Sequence, residues 1–171
     1  KIASNREVVT CFEYNAMHQL TKVVEAAGTP DQKEILRVYN AKGQLGKIIK
    51  SDGIEIHHAY DDQGRLKDFK ADDSFNYRYE YYLNGQVIKV DDLCNNQVTS
   101  RFYNDDQCLI KEIDGNGSEI NFVYDCIGRM ISVILPDQSA INYHYDAELL
   151  RQVDRLSSNG DILYSHGYKG Y

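Results

Sequence analysis

Tyr60-Asp61-Asp62-Gln63-Gly64-Arg65-Leu66 recurs along the 171-residue chain as Tyr124-Asp125-Cys126-Ile127-Gly128-Arg129-Met130, Tyr39-Asn40-Ala41-Lys42-Gly43-Gln44-Leu45 and Tyr81-Tyr82-Leu83-Asn84-Gly85-Gln86-Val87. Looser copies start at Tyr14, at Tyr103 (with Leu109 in the leucine position) and at Tyr145-Asp146, and an eighth starts at Tyr168. Successive tyrosines stand 25, 21, 21, 22, 21, 21 and 23 residues apart. A period this constant marks a repeat array in which each unit is one supersecondary element leaning on its neighbours.

Asp or Asn at the first corner with Gly three residues later signals a type I turn closed by a left-handed residue. In Asp61-Asp62-Gln63-Gly64 the aspartate can accept the turn's own amides, and the glycine supplies positive φ for a G1 bulge. Gln107 and Leu149 occupy the glycine position after Tyr103 and Tyr145. Midway between tyrosines lies a second turn signal: Asp52-Gly53, Asp72-Asp73, Asn95-Asn96, Asn116-Gly117, Asp137-Gln138 and Asn159-Gly160. Several of these dipeptides tolerate a type I′ corner. Two turns per repeat leave room for two strands of ordinary length.

The strand entering each tyrosine alternates. Ile54, Ile56, His58 and Tyr60 fall on one face, with Glu55, His57 and Ala59 on the other. The same phase runs through Phe75, Tyr77, Tyr79 and Tyr81, and through Ile141, Tyr143 and Tyr145. A period of two in aromatic and β-branched residues is a half-buried strand. In the departing strand Leu66 and Phe69, or Met130 and Val133, are three apart. Either a bulge corrects the phase or both sheet faces are partly covered. The expected fold is all-β: a repetitive antiparallel β-hairpin meander forming a long curved and twisted sheet. About fourteen strands at ~4.8 Å spacing span on the order of 65 Å, and sheets that wide curl.

These residues resemble the YD repeats of the Rhs (rearrangement hot spot) family, which also embraces the shell subunits of insecticidal toxin complexes and the animal teneurins. The resemblance runs from about Phe12 to Tyr168. It implies a ribbon that spirals into a hollow shell enclosing a C-terminal polypeptide, often a toxin, or serving as an adhesion scaffold. The partners implied are the rest of the same polypeptide and that cargo, and the location implied is secreted or on a bacterial surface. Self-cleaving members use an aspartate-bearing, proline-containing segment after the repeats. Pro30 and Pro136 lie in no such segment, so no catalytic residue is carried over. The expected repeat positions are Tyr14, Tyr39, Gly43, Leu45, Tyr60, Asp61, Gly64, Leu66, Tyr81, Gly85, Val87, Tyr103, Leu109, Tyr124, Asp125, Gly128, Met130, Tyr145, Asp146 and Tyr168.

A net charge of −7 argues against nucleic acid and anionic membrane surfaces, and no apolar run is long enough for a membrane span. Residues 1–171 read as a single array of about seven complete repeats plus the start of an eighth, cut from a longer protein at both ends. The least regular part holds Val8, Thr10, Phe12 and Tyr14 as an entering strand, then the longer turn Ala26-Ala27-Gly28-Thr29-Pro30-Asp31. Truncated ends predict exposed edge strands near residues 8–14 and 162–168, and hence edge-to-edge self-association.

Candidate chemistry is sparse. Cys11, Cys94, Cys108 and Cys126 show no C-x-x-C spacing; equivalent positions one repeat apart lie two strands away, roughly 9–10 Å, beyond disulfide reach. Adjacent His57 and His58 point to opposite faces and cannot share a metal. Asp114-Gly115-Asn116-Gly117-Ser118-Glu119 lacks the glycine and glutamate placement of a calcium loop. No catalytic, metal or cofactor site is expected, and no enzyme. The leading function is a structural shell wall around a cargo. The alternative is binding of carbohydrate or a cell-surface partner through the tyrosine rows, since each ring offers an apolar face and a polar tip.

Overall fold

The computed structural model describes residues 8–72 and 74–168, so the expectations placed on Asp73 and on the residues after Tyr168 lie outside it. Fifteen strands follow one another: β1 (Cys11–Tyr14), β2 (Leu20–Glu25), β3 (Lys33–Tyr39), β4 (Leu45–Ile49), β5 (Glu55–Tyr60), β6 (Leu66–Ala71), β7 (Phe75–Tyr81), β8 (Val87–Asp92), β9 (Gln97–Tyr103), β10 (Leu109–Ile113), β11 (Glu119–Tyr124), β12 (Met130–Ile134), β13 (Ala140–Asp146), β14 (Leu149–Leu156) and β15 (Ile162–Gly167). They form one open sheet in sequence order, an antiparallel meander with β1 and β15 as its ends. No helix occurs among the described residues. The first strand begins at Cys11, so Val8 and Thr10 precede it rather than belong to it.

The uneven spacing of the departing strand is resolved by a bulge. Tyr60 faces Leu66, but Ala59 faces Asp68, so Lys67 is passed over. His58 then faces Phe69, which brings Leu66 and Phe69 to the same side as Tyr60. Tyr124 with Met130 and Phe122 with Val133 repeat the arrangement. The bulge recurs where Tyr14, Tyr39, Tyr103 and Tyr145 meet the departing strand. It is absent from the mid-repeat hairpins β2–β3, β4–β5, β6–β7, β10–β11 and β12–β13, while the last one, β14–β15, carries a bulge of its own at Leu163. One extra residue per repeat therefore sits beside the tyrosine and keeps the apolar side chains in phase.

At the Tyr60 turn the Gly64 amide donates to the Asp61 carbonyl at 3.0 Å and the Asp61 amide to the Arg65 carbonyl at 2.9 Å. Gly64 stands at φ +84°. Gln107 takes the same place at φ +65° with the same two bonds, through Asn104 and Cys108, so the tertiary register imposes the turn where glycine is missing. After Tyr145 the turn shortens: Ala147 supplies the positive φ, Leu149 already opens β14, and Tyr145 faces Leu150. Five of the mid-repeat turns are not type I′ corners, which need positive φ at both central residues; in Asp137-Gln138 only Gln138 is left-handed. In Asp52-Gly53, Asn95-Asn96, Asn116-Gly117 and Asn159-Gly160 only the second residue is left-handed. Gly53 donates to the Lys50 carbonyl and Lys50 to that of Ile54, the same pattern as on the tyrosine side.

The chain divides into two compact units: Lys1–Tyr79 with Asp92–Asn95, and Glu80–Asp91 with Asn96–Tyr171. In the first, register gives the tyrosine face Val23 beside Ile35, Ile48 beside Ile56, and Phe69 beside Tyr77. Its opposite face carries the ion pairs Lys22–Glu34, Lys47–Glu55 and Arg78–Asp68. In the second, Phe122, Val133 and Ile141 line up on the tyrosine face. The opposite face carries Lys111–Glu119, His144–Asp154 and a Ser132–Asn142 bond. Val23, Val24, Ala71 and Val133 are the buried apolar side chains, and most others on the strands are half-covered. Within each unit the sheet is stabilised by strand against neighbouring strand.

Candidate functional site

The repeat positions converge on the seam between one repeat and the next. Tyr39 donates its hydroxyl to the Leu20 carbonyl at 2.9 Å, one repeat back. Tyr60 donates to Leu45 (2.9 Å), Tyr103 to Val87 (2.8 Å), Tyr124 to Leu109 (2.9 Å) and Tyr145 to Met130 (3.0 Å). The acceptor is always the residue at the leucine position of the preceding repeat. That carbonyl lies beside the bulge, where the ladder is locally interrupted, and the phenol supplies a partner for it. Burial raises the Tyr124 phenol above its ordinary range, and the neighbouring Cys108 thiol adds to the rise.

A second bond runs the other way. Gln19 Nε2 donates to the Gly43 carbonyl (2.7 Å), Gln44 Nε2 to Gly64 (3.0 Å) and Gln86 Nε2 to Gln107 (2.6 Å), each one repeat ahead. At the same position Arg129 reaches the Ala147 carbonyl and lies 4.8 Å from the centre of the Tyr145 ring. The seam is thus stitched twice, backward by tyrosine and forward by the residue after the left-handed corner. These forward donors were not among the expected positions. The signal was present, because Gln or Arg fills that place in five of the copies.

The Asp or Asn of each motif holds its own turn. Asn40, Asp61 and Asp125 each accept two amides through Oδ1, from residues two and four ahead, at 2.9–3.0 Å. Arg65 and Arg129 pair with Asp61 and Asp125 at 2.7 and 2.6 Å. Burial pushes both carboxyls up, but the amide and guanidinium bonds outweigh it and hold them below the ordinary carboxylate range. Gly43, Gly64, Gly85 and Gly128 take the left-handed corner. Tyr81 is half-buried at the end of β7, Leu66 faces Tyr60, and Asp146 pairs with Arg151 at 3.2 Å. Tyr14 and Tyr168, at the two ends, are 61% and 47% exposed.

Other groups stay apart. All four cysteines are free thiols. His57 lies 3.2 Å from Glu55 on one face, while His58 packs on Phe69 at 5.0 Å on the other. No cluster of three metal-ligating side chains occurs among the described residues. In Asp114–Glu119 the Asp114 carboxylate is turned inward, accepting the amides of Asn116 and Ser118.

The family model described as Teneurin YD-shell matches residues 1–169. Among solved structures, a crystal structure of TcdB2-TccC3 without its hypervariable C-terminal region superposes with a TM-score of 0.78 at 15% identity, covering 96% of this chain and 10% of that one. A TcdB2-TccC3-Cdc42 crystal structure gives 0.77 at 15% identity, covering 96% and 10%. The Photorhabdus luminescens Tc holotoxin pore gives 0.72 at 15% identity, covering 92% and 9%. At this identity the likeness is one of fold, and the chain spans about a tenth of each of those chains. No curated protein matches the sequence.

Proposed function

The chain belongs to the teneurin YD-shell family, and from that membership we propose that it is a wall segment of a shell that encloses and delivers a C-terminal polypeptide cargo. The observation that carries this reading is the doubly stitched seam. Its phenol and carboxamide tips are turned onto backbone carbonyls of adjacent repeats, which supports a role in holding a wall together. The structural neighbours support it too, one of them being a TcdB2-TccC3 chain that lacks its hypervariable C-terminal region. On this reading residues 1–171 act as one continuous array, without catalytic activity, in a protein that works outside the cell or at its surface. The partners are the rest of the same polypeptide and its cargo. The rival reading, sugar or cell-surface binding through the tyrosine rows, is weakened because the seam phenols already have acceptors.

Limited proteolysis of the full-length parent protein, with mass spectrometry of what survives, tests the proposal. A C-terminal piece that stays protected until the repeats unfold is the expected result. Immediate digestion of everything beyond the repeats overturns encapsulation.

A further inference from the structure

Asn116-Gly117-Ser118 is an Asn-x-Ser triplet, and no other asparagine of the chain stands two residues before a serine or threonine. In a protein that enters a secretory route this pattern is an acceptor for N-linked oligosaccharide when it lies on an exposed loop. Here it forms the tip of the turn between β10 and β11. The Gly117 amide donates to the Asp114 carbonyl at 2.9 Å, and the Asp114 amide to the Ser118 carbonyl at 3.0 Å. Asn116 and Gly117 are both exposed. The space where a Gly117 side chain would project is empty to 4 Å. The Asn116 carboxamide is held by its oxygen, which accepts from Gln97 Nε2 at 3.2 Å. That contact leaves Nδ2, the atom that carries the sugar, outside the bond. The chain provides its own contrast: Asn84-Gly85-Gln86 and Asn159-Gly160-Asp161 sit on similar exposed turns but lack the hydroxyl two residues on.

We propose that Asn116 is an N-glycosylation site. The donor is a lipid-linked oligosaccharide and the catalyst the host's oligosaccharyltransferase. Nδ2 of Asn116 forms a bond to C1 of the reducing-end sugar, the lipid pyrophosphate departs with the electron pair of the broken C1–O bond, and Nδ2 gives up one proton. The inference rests on the reading that the protein is exported, and takes the secreted branch of it: export by a cell that carries an oligosaccharyltransferase, rather than display on a bacterial surface. It adds an orientation: a hydrated glycan needs solvent, so the rim carrying the β10–β11 turn faces outward in the assembled protein.

The test is expression of the full chain behind a cleavable secretion signal in cultured eukaryotic cells, followed by peptide N-glycosidase treatment and peptide mass spectrometry. The expected result is one glycan, whose enzymatic removal converts Asn116 to aspartate. It should vanish in Asn116→Gln and Ser118→Ala and persist in Ser118→Thr. A chain whose secretion signal has been removed, and which therefore reached the lumen, but which carries a bare Asn116, overturns the proposal. The export reading is measured separately, by surface protease digestion of cells making the natural parent protein. Parent protein found only inside the cell defeats that reading, and the acceptor result then stands or falls on its own peptide data.

Discussion

Gln107 and Gln138 hold left-handed corners at φ +65° without glycine's freedom from the Cβ clash. Left-handed backbone costs an L-residue about 1–2 kcal/mol, and glycine's greater chain entropy takes back part of that advantage. Gln107→Gly and Gln138→Gly should each raise stability by about 0.5–1 kcal/mol in urea titration. The bond from Gln86 survives in the first, since its acceptor is a backbone carbonyl. Gly115 is the opposite case. A Cβ there would meet Gln97 Cβ at 2.4 Å, so Gly115→Ala should cost about 1–3 kcal/mol by overpacking. Gln97→Gly should restore part of the loss. His58 adds a pH dependence. Burial, reinforced by His57, lowers its pKa below 6.5, and its buried Nδ1 lacks a partner. A depressed histidine contributes stability fully above the unfolded pKa and loses it as pH falls through the folded value. The melting temperature should therefore fall as pH drops below roughly 6.5, and His58→Phe should flatten that first decline. An unchanged slope in the variant would remove His58 from the explanation.

At the scale of the hairpin, the stability of the array lives in its seams. Tyr60→Phe and Tyr124→Phe keep the ring and delete one bond to a carbonyl of the preceding repeat, so each should cost about 1 kcal/mol. Tyr14→Phe is the control. Tyr14 is 61% exposed and has no such carbonyl among the described residues, so its loss should stay within about 0.5 kcal/mol. Because nearest-neighbour terms couple repeats, the seam variants should also broaden the unfolding transition. Equal costs at Tyr14 and Tyr60 would mean the hydroxyl contributes little. The hairpins themselves were legible in the sequence: tyrosine spacing, Asp and Gly placement and the period of two predict the meander, with about fourteen strands expected against fifteen found and the first starting at Cys11 rather than Val8. Leu66 and Phe69, three apart, even signalled the bulge without deciding between it and two-sided cover. The stitches were not legible. A phenol donating to a backbone carbonyl one repeat away leaves no mark on the identity of its acceptor, which is leucine, valine or methionine by turns. At Asp52-Gly53, Asn95-Asn96, Asn116-Gly117 and Asn159-Gly160 no type I′ corner formed, because a dipeptide that tolerates two positive φ values does not require them, and local twist was met by a single left-handed residue.

For the molecule as a whole, the end strands of the open sheet are where unpaired backbone meets water. Every residue of β15 is exposed, with Ile162 at 62%, Leu163 at 65% and Tyr164 at 61%. At the other end Phe12 is 54% exposed. Natural edge strands discourage pairing with inward charges, prolines or bulges. Ile162–Gly167 carries neither Asp, Glu, Lys, Arg nor proline, and its one irregularity is the bulge at Leu163 in the register with β14. Its unpaired amides and carbonyls, flanked by apolar side chains on both faces, make a template for a further strand. For residues 1–171 on their own, a second copy of the chain can supply that strand. The chain as it stands should therefore self-associate with rising concentration in static light scattering. Leu163→Lys places a charge in the exposed edge and should shift the curve toward monomer while leaving the melting temperature nearly unchanged, since Leu163 is passed over in the register with β14. A monodisperse monomer at high concentration, or association insensitive to that lysine, would show that this edge is closed by something other than pairing.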